Sequence, residues 1–100
     1  MCQDYEREKR VMSSLDRYEE VKGFASAFAG KPITAGPDFS LFKDSWEHGW
    51  RCFHGRLFPL GIETNLYIDN RKEAREAERV FKRTGDLPTN LVKHLSNYSN

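Results

Sequence analysis

Apolar residues recur at helical spacing along most of this chain. Val11, Leu15, Tyr18, Ala25 and Phe28 lie three, four or seven positions apart and predict one helix over residues 4–29. Gly30 is placed as its C′ residue, with Pro32 beyond it as a stop. Ser13 and Ser14 allow another reading, in which the helix restarts near residue 14. A glycine inside a helix costs about 1 kcal/mol relative to alanine, so Gly23 implies that a second element packs closely against it.

Residues 31–37, KPITAGP, read as a loop, and Asp38 is a good N-cap. Phe39, Phe42, Trp46, Trp50 and Phe53 then recur at helical spacing, an all-aromatic stripe on one face. Gly49 lies between the tryptophans, and Gly55 is the expected stop. Two such helices across a short loop pack antiparallel. Gly23, Ala25 and Ala29 on the first would face the rings of the second. Residues 55–68 read as a Gly- and Pro-punctuated connection, partly extended, wrapping over the hairpin. A third helix is expected over 70–84, with Asn70 and Glu73 resembling a capping box and Gly85 as its stop. Asp86-Leu-Pro88 opens a short fourth helix carrying Leu91, Val92, Leu95 and Tyr98. The expected fold is all-α, an antiparallel helical hairpin over residues 4–54 followed by a C-terminal helical extension over 55–100. One hundred residues make this a single small domain.

Composition narrows the function classes. The net charge of +1 argues against both a strongly basic nucleic-acid binder and an acidic mimic of DNA. Two cysteines, Cys2 and Cys52, make no disulfide framework, so a reduced, cytoplasmic setting is expected. The charged opening MCQDYEREKR reads as no signal peptide, and no apolar run reaches the roughly 18 residues of a membrane span.

The stretch SWEHGWRCFHGR, residues 45–56, gathers both tryptophans, two of three histidines and Cys52. His48 and Cys52 share a helical face, but His54 lies about 200° around the helix from Cys52. A fourth ligand is missing, so no metal site is expected. A partly exposed His48 and a buried free Cys52 are the plainer account. A lone cysteine near a histidine is equally weak as a nucleophile signal. No phosphate-binding glycine loop is present, and neither enzymatic activity nor a cofactor is expected.

Arg71, Arg75 and Arg79 follow at i, i+4 and i+8, continued by Lys82 and Arg83. Such a ridge tracks phosphates or an acidic surface. It is also what a solvated face looks like, with local pairs such as Glu76–Arg79 and Glu78–Lys82. Arg51 and Arg56, with His48 and His54, form a second, mildly basic cluster.

Residues 23–51, GFASAFAGKPITAGPDFSLFKDSWEHGWR, resemble the core of the ribosome modulation factor family of bacterial hibernation proteins. The shared positions are Gly23-Phe24, Ala29-Gly30-Lys31, Pro37, Trp46 and Gly49-Trp50-Arg51. W-x-x-G-W-R is the most specific part. The resemblance implies a helical hairpin scaffolded by Gly23, Phe24, Gly30, Pro37, Trp46, Gly49 and Trp50; the aromatic stripe itself places both tryptophans chiefly in the core. It also implies a non-enzymatic, ribosome-associated protein that contacts ribosomal RNA or protein and lowers translation. Lys31, His48, Arg51, Arg56, Arg71, Arg75 and Arg79 would form the basic binding edge. Two features depart from the family. Asp38 stands where the family has an aromatic, and residues 1–31 carry six basic and six acidic groups where the family is strongly basic. Residues 56–100 have no counterpart in it. The near-neutral charge favours a second reading, a phage-type inhibitor or adaptor directed at a host protein or defence complex. Homodimerisation through an exposed Phe58 or Tyr67 is a further possibility.

Overall fold

The computed structural model describes residues 14–38 and 40–98. It contains five α-helices: α1 (Ser14–Phe28), α2 (Ser40–His54), α3 (Leu60–Leu66), α4 (Arg71–Thr84) and α5 (Thr89–Leu95), with a 3-10 turn at Ile33–Ala35. The all-α class stands, and no strand occurs among the described residues. The part of the first expected helix before Ser14, together with Cys2 and Phe39, lies outside those residues. None of the described helices is long and apolar enough to cross a membrane.

α1 and α2 form the expected hairpin, and their contact is set by glycine. A Cβ on Gly23 would overlap the carbonyl of Trp46, and a Cβ on Gly49 would overlap the carbonyl of Glu20. Each helix therefore presents a glycine where the other presents backbone. Gly61 does the same for α3, where a Cβ would overlap the carbonyl of Arg17 on α1. The hairpin is also tied by the Ser45 hydroxyl, which donates to Asp16 at 2.9 Å.

This close approach changes which faces are buried. On α1 the interior residues are Glu20, Val21, Phe24, Ala25 and Ala27, while Leu15, Tyr18 and Phe28 of the expected stripe are exposed. On α2 the buried residues are Ser45, Trp46, Gly49 and Cys52. Trp46 is core, with Gly36 packed on its indole. Trp50 is only half-buried, a correction to its expected core role. It sits about 100° around the helix from Gly49, beside the crossing, and its indole N–H donates to the Lys31 carbonyl at 2.8 Å.

The core extends through all five helices. Phe24, fully buried, meets Phe53, Phe58 and Phe81 edge-on at 5.3, 6.3 and 6.0 Å between ring centres. Ile62 of α3, Tyr67, Ala74 of α4, and Leu91 and Leu95 of α5 complete it. The radius of gyration of 12.6 Å matches the roughly 13 Å of a compact chain of this length, so the C-terminal helices fold back onto the hairpin. Phe58 and Tyr67 are 6% and 3% exposed, which removes them as seeds for a dimer.

The connection over 55–68 is not extended, because Leu60–Leu66 is helical behind Pro59. The stop at the end of α2 also differs from expectation. Gly30 ends α1 in the left-handed region (φ 86°), as expected, but at the end of α2 that role falls to Arg56 (φ 59°), not Gly55. Leu57 N–H donates to the Cys52 carbonyl and Arg56 N–H to that of Phe53, closing a Schellman motif. α4 is capped as its sequence requires. Asn70 accepts from the Glu73 N–H at 3.1 Å and donates to the Glu73 carboxylate at 3.2 Å, and Gly85 (φ 80°) ends the helix.

Two predictions test this packing. Gly23→Ala and Gly49→Ala should each cost about 3 kcal/mol or more by overpacking. Gly30→Ala has open space around it and should cost about 1 kcal/mol from its left-handed backbone alone. Urea midpoints compare the three, and equal losses would refute the close-approach account. The second concerns His94, whose imidazole is held below its ordinary pKa by burial and whose Nε2 is enclosed with no hydrogen-bond partner. A depressed folded-state pKa means that the unfolded chain binds the proton first. His94 should therefore contribute a loss of stability as pH falls below about 6.5. His94→Gln should flatten Tm against pH in that range.

Candidate functional site

Arg56 stands where the hairpin meets α4. Its left-handed backbone swings the side chain across the end of α4, where the guanidinium donates to the Lys82 carbonyl at 3.3 Å. The same guanidinium lies over Gly85, 3.1 Å from where a Cβ would stand. A cation here faces the negative end of the helix dipole and one of its unsatisfied carbonyls. A left-handed non-glycine residue costs about 1–2 kcal/mol, so what the side chain does must be weighed against that cost.

α4 has two unlike flanks. Ala74 and Phe81 face inward. At 100° per residue, Arg71, Lys72, Arg75, Arg79, Lys82 and Arg83 all fall within an arc of roughly 120° on one side. Glu73, Glu76, Ala77 and Val80 fall on the other. Arg71, Arg75 and Arg83 are exposed and form no ion pair among the described residues. Arg79 meets Glu76 at 2.9 Å, as expected, but both side chains are more than half exposed, so the pair contributes little. The expected Glu78–Lys82 pair is replaced, because Glu78 turns inward and accepts from the Phe58 N–H at 2.6 Å.

Arg56 links the end of α2 to the last turn of α4, where Lys82 continues the line of Arg71, Arg75 and Arg79. Arg51 is exposed on α2 with a loose Glu47 contact at 3.8 Å. Lys31 is half-buried, and its carbonyl holds Trp50, whose ring lies 4.1 Å from that of His54. His48 does not belong to this edge. Its Nε2 lies 3.7 Å from a Glu20 carboxylate oxygen and 3.5 Å from the Cys52 sulfur.

Glu20 carried no functional signal in the sequence, yet it is 1% exposed. Its other oxygen accepts from the Gly61 N–H at 3.1 Å, so one carboxylate ties α1 to α2 and to the start of α3. His48 and Cys52 share a helical face, with His48 partly exposed and Cys52 buried, as expected. Both the thiol and the carboxylate approach His48 at Nε2, and the three side chains link α1 to α2. Among the described residues no group of three His, Cys, Asp or Glu side chains is arranged to hold a metal ion.

Arg56→Gly should raise stability by about 0.5–1 kcal/mol, because relief of the left-handed backbone outweighs loss of one exposed hydrogen bond. Arg56→Ala keeps the backbone cost and should lower stability by a few tenths of a kcal/mol. Thermal melts of the two variants on opposite sides of the parent would support this account. No family model, curated protein or solved structure matches the chain.

Proposed function

We propose that this chain is a non-enzymatic, ribosome-associated binding protein of bacterial or phage type. It contacts structured RNA through one basic edge formed by Arg51, Arg56 and the α4 flank of Arg71, Arg75 and Arg79, and thereby lowers translation. The observation that carries this reading is Arg56, a left-handed non-glycine residue whose guanidinium reaches from the end of α2 to the last turn of the basic helix α4. Strained backbone of this kind concentrates at functional positions. The resemblance of residues 23–51 to the ribosome modulation factor family supports the choice of the ribosome as target. The net charge of +1 is no obstacle, since phosphate contact depends on the local arrangement of cations, and here they are segregated to one flank.

A second reading, an inhibitor or adaptor directed at a host protein, is favoured by the exposed Leu57 beside this edge and by Phe28 and Ile68. Salt separates the two. Phosphate contacts release counterions and weaken steeply as salt rises, whereas apolar contact does not.

The test is co-sedimentation of the tagged protein with bacterial ribosomes at low and moderate salt. Co-migration that is lost as salt rises, and lost at low salt in an Arg75→Glu/Arg79→Glu variant with an unchanged melting curve, is the expected result. Each phosphate contact removed should lower the salt slope by about one. Protein that stays at the top of the gradient in both salts overturns the ribosomal reading. Salt-resistant capture of a protein partner would favour the second.

A further inference from the structure

The rings at the end of α2 form a continuous row. Trp50 and His54 lie 4.1 Å apart between ring centres, His54 and Phe53 5.3 Å, and Phe53 and Phe28 of α1 6.0 Å. Phe53 also packs on the buried Phe24, so the row stands on fixed core packing. Its outer members are open to solvent. Phe28 is 43% exposed, His54 is exposed and Trp50 is half-buried. A phenyl ring left open forgoes part of its hydrophobic stabilisation, so burial within this fold does not account for the row.

The charge around the rings is one-sided, and this is a separate observation. Residues 28–37 and 48–59 frame the row, and they carry Lys31, Arg51 and Arg56 with no Asp or Glu. Arg51 directly follows Trp50, and its side chain is 67% exposed. The Trp50 indole N–H is already spent on the Lys31 carbonyl at 2.8 Å. That bond uses the only donor of the indole, so Trp50 offers a ring face and no hydrogen bond. Cations beside open ring faces match a nucleotide, which brings a phosphate and a flat base together. An apolar protein side chain would use the rings and leave the cations unmatched. A bare polyanion would use the cations and ignore the rings.

We propose that this row is a stacking platform for unpaired nucleotides of the RNA held by the basic edge. Helical RNA lies with its phosphates along Arg71, Arg75 and Arg79. A strand leaving that helix passes Arg56 and Arg51 and sets one base on His54 beside Trp50 and another on Phe28. Stacking uses the face of a base and not its edge, so the platform tolerates any sequence. The inference rests on the RNA-binding reading and adds to it the form of RNA that is preferred.

The test is a fluorescence titration of the full chain at about 50 mM salt with two hairpin RNAs. One carries a single-stranded tail of roughly four nucleotides; the other carries the same tail with abasic sugars, so the phosphates are equal in number. The tailed hairpin should bind at least about fivefold more tightly than the abasic one. It alone should change the tryptophan emission, which reports Trp50 because Trp46 is buried. His54→Ala and Phe28→Leu should each weaken the tailed hairpin about five- to 150-fold and leave the abasic one unchanged. Should Phe28→Leu fail to fold, the exposed His54 and the two hairpins still decide. Equal binding of both hairpins would overturn the platform and leave the basic edge standing. Binding of neither would overturn the RNA-binding reading and the platform with it. A doubling of molecular mass that Phe28→Leu abolishes would assign the rings to a second copy of the chain and likewise overturn the proposal.

Discussion

The contact between Gly23 and the α2 backbone, returned by Gly49 against the α1 backbone, is the constraint on which the other features depend. Helices normally keep 8–10 Å between axes because side chains hold them apart. Here no side chain intervenes at the crossing. That closeness encloses Glu20 and brings its carboxylate within reach of both His48 and the start of α3. A buried carboxylate without partners would be costly. This one is fixed by the Gly61 N–H and faced by His48, so the glycine crossing and the buried acid are two parts of one arrangement.

α4 is held by a different kind of packing. α1 meets α2 and α3 backbone to backbone, whereas α4 reaches the core through the Phe81 ring, which lies against Phe24, Phe53 and Phe58. A helix held at side-chain distance keeps both flanks open to solvent. One flank is basic and continues onto the hairpin through Arg56. The other carries Glu73, Glu76, Ala77 and Val80 and is acidic and apolar. Segregating charge on one amphipathic helix thus gives a nearly neutral protein two surfaces of opposite character.

Much of this was legible in the sequence because it is written locally. Helix spacing, the Asn70–Glu73 cap, and Gly30 and Gly85 as stops depend on neighbours within one turn. Features set by distant partners were not legible. Glu20 resembles a solvated acid in a charged segment until α2 and α3 close over it. Glu78 has the right spacing for Lys82, but a backbone N–H twenty residues away in the chain is the better partner. The aromatic stripe of α2 suggested that the largest rings mark the contact. The contact runs instead through the smallest residue, which moves Trp50 to the rim. Gly55 was the natural stop for α2, and no local rule foretells that Arg56 beside it takes the left-handed position. That residue was also the one linking the candidate site together.

The glycine contacts have a consequence for tracing the ancestry of this fold. Surface charge and most core aromatics can drift, since other residues of similar volume or charge would serve. Positions 23, 49 and 61 cannot, because at each of them even a methyl would strike a backbone carbonyl of the facing helix. A distant relative would therefore be recognised less by overall identity than by three glycines at matching separations, each inside a helix where glycine is otherwise disfavoured.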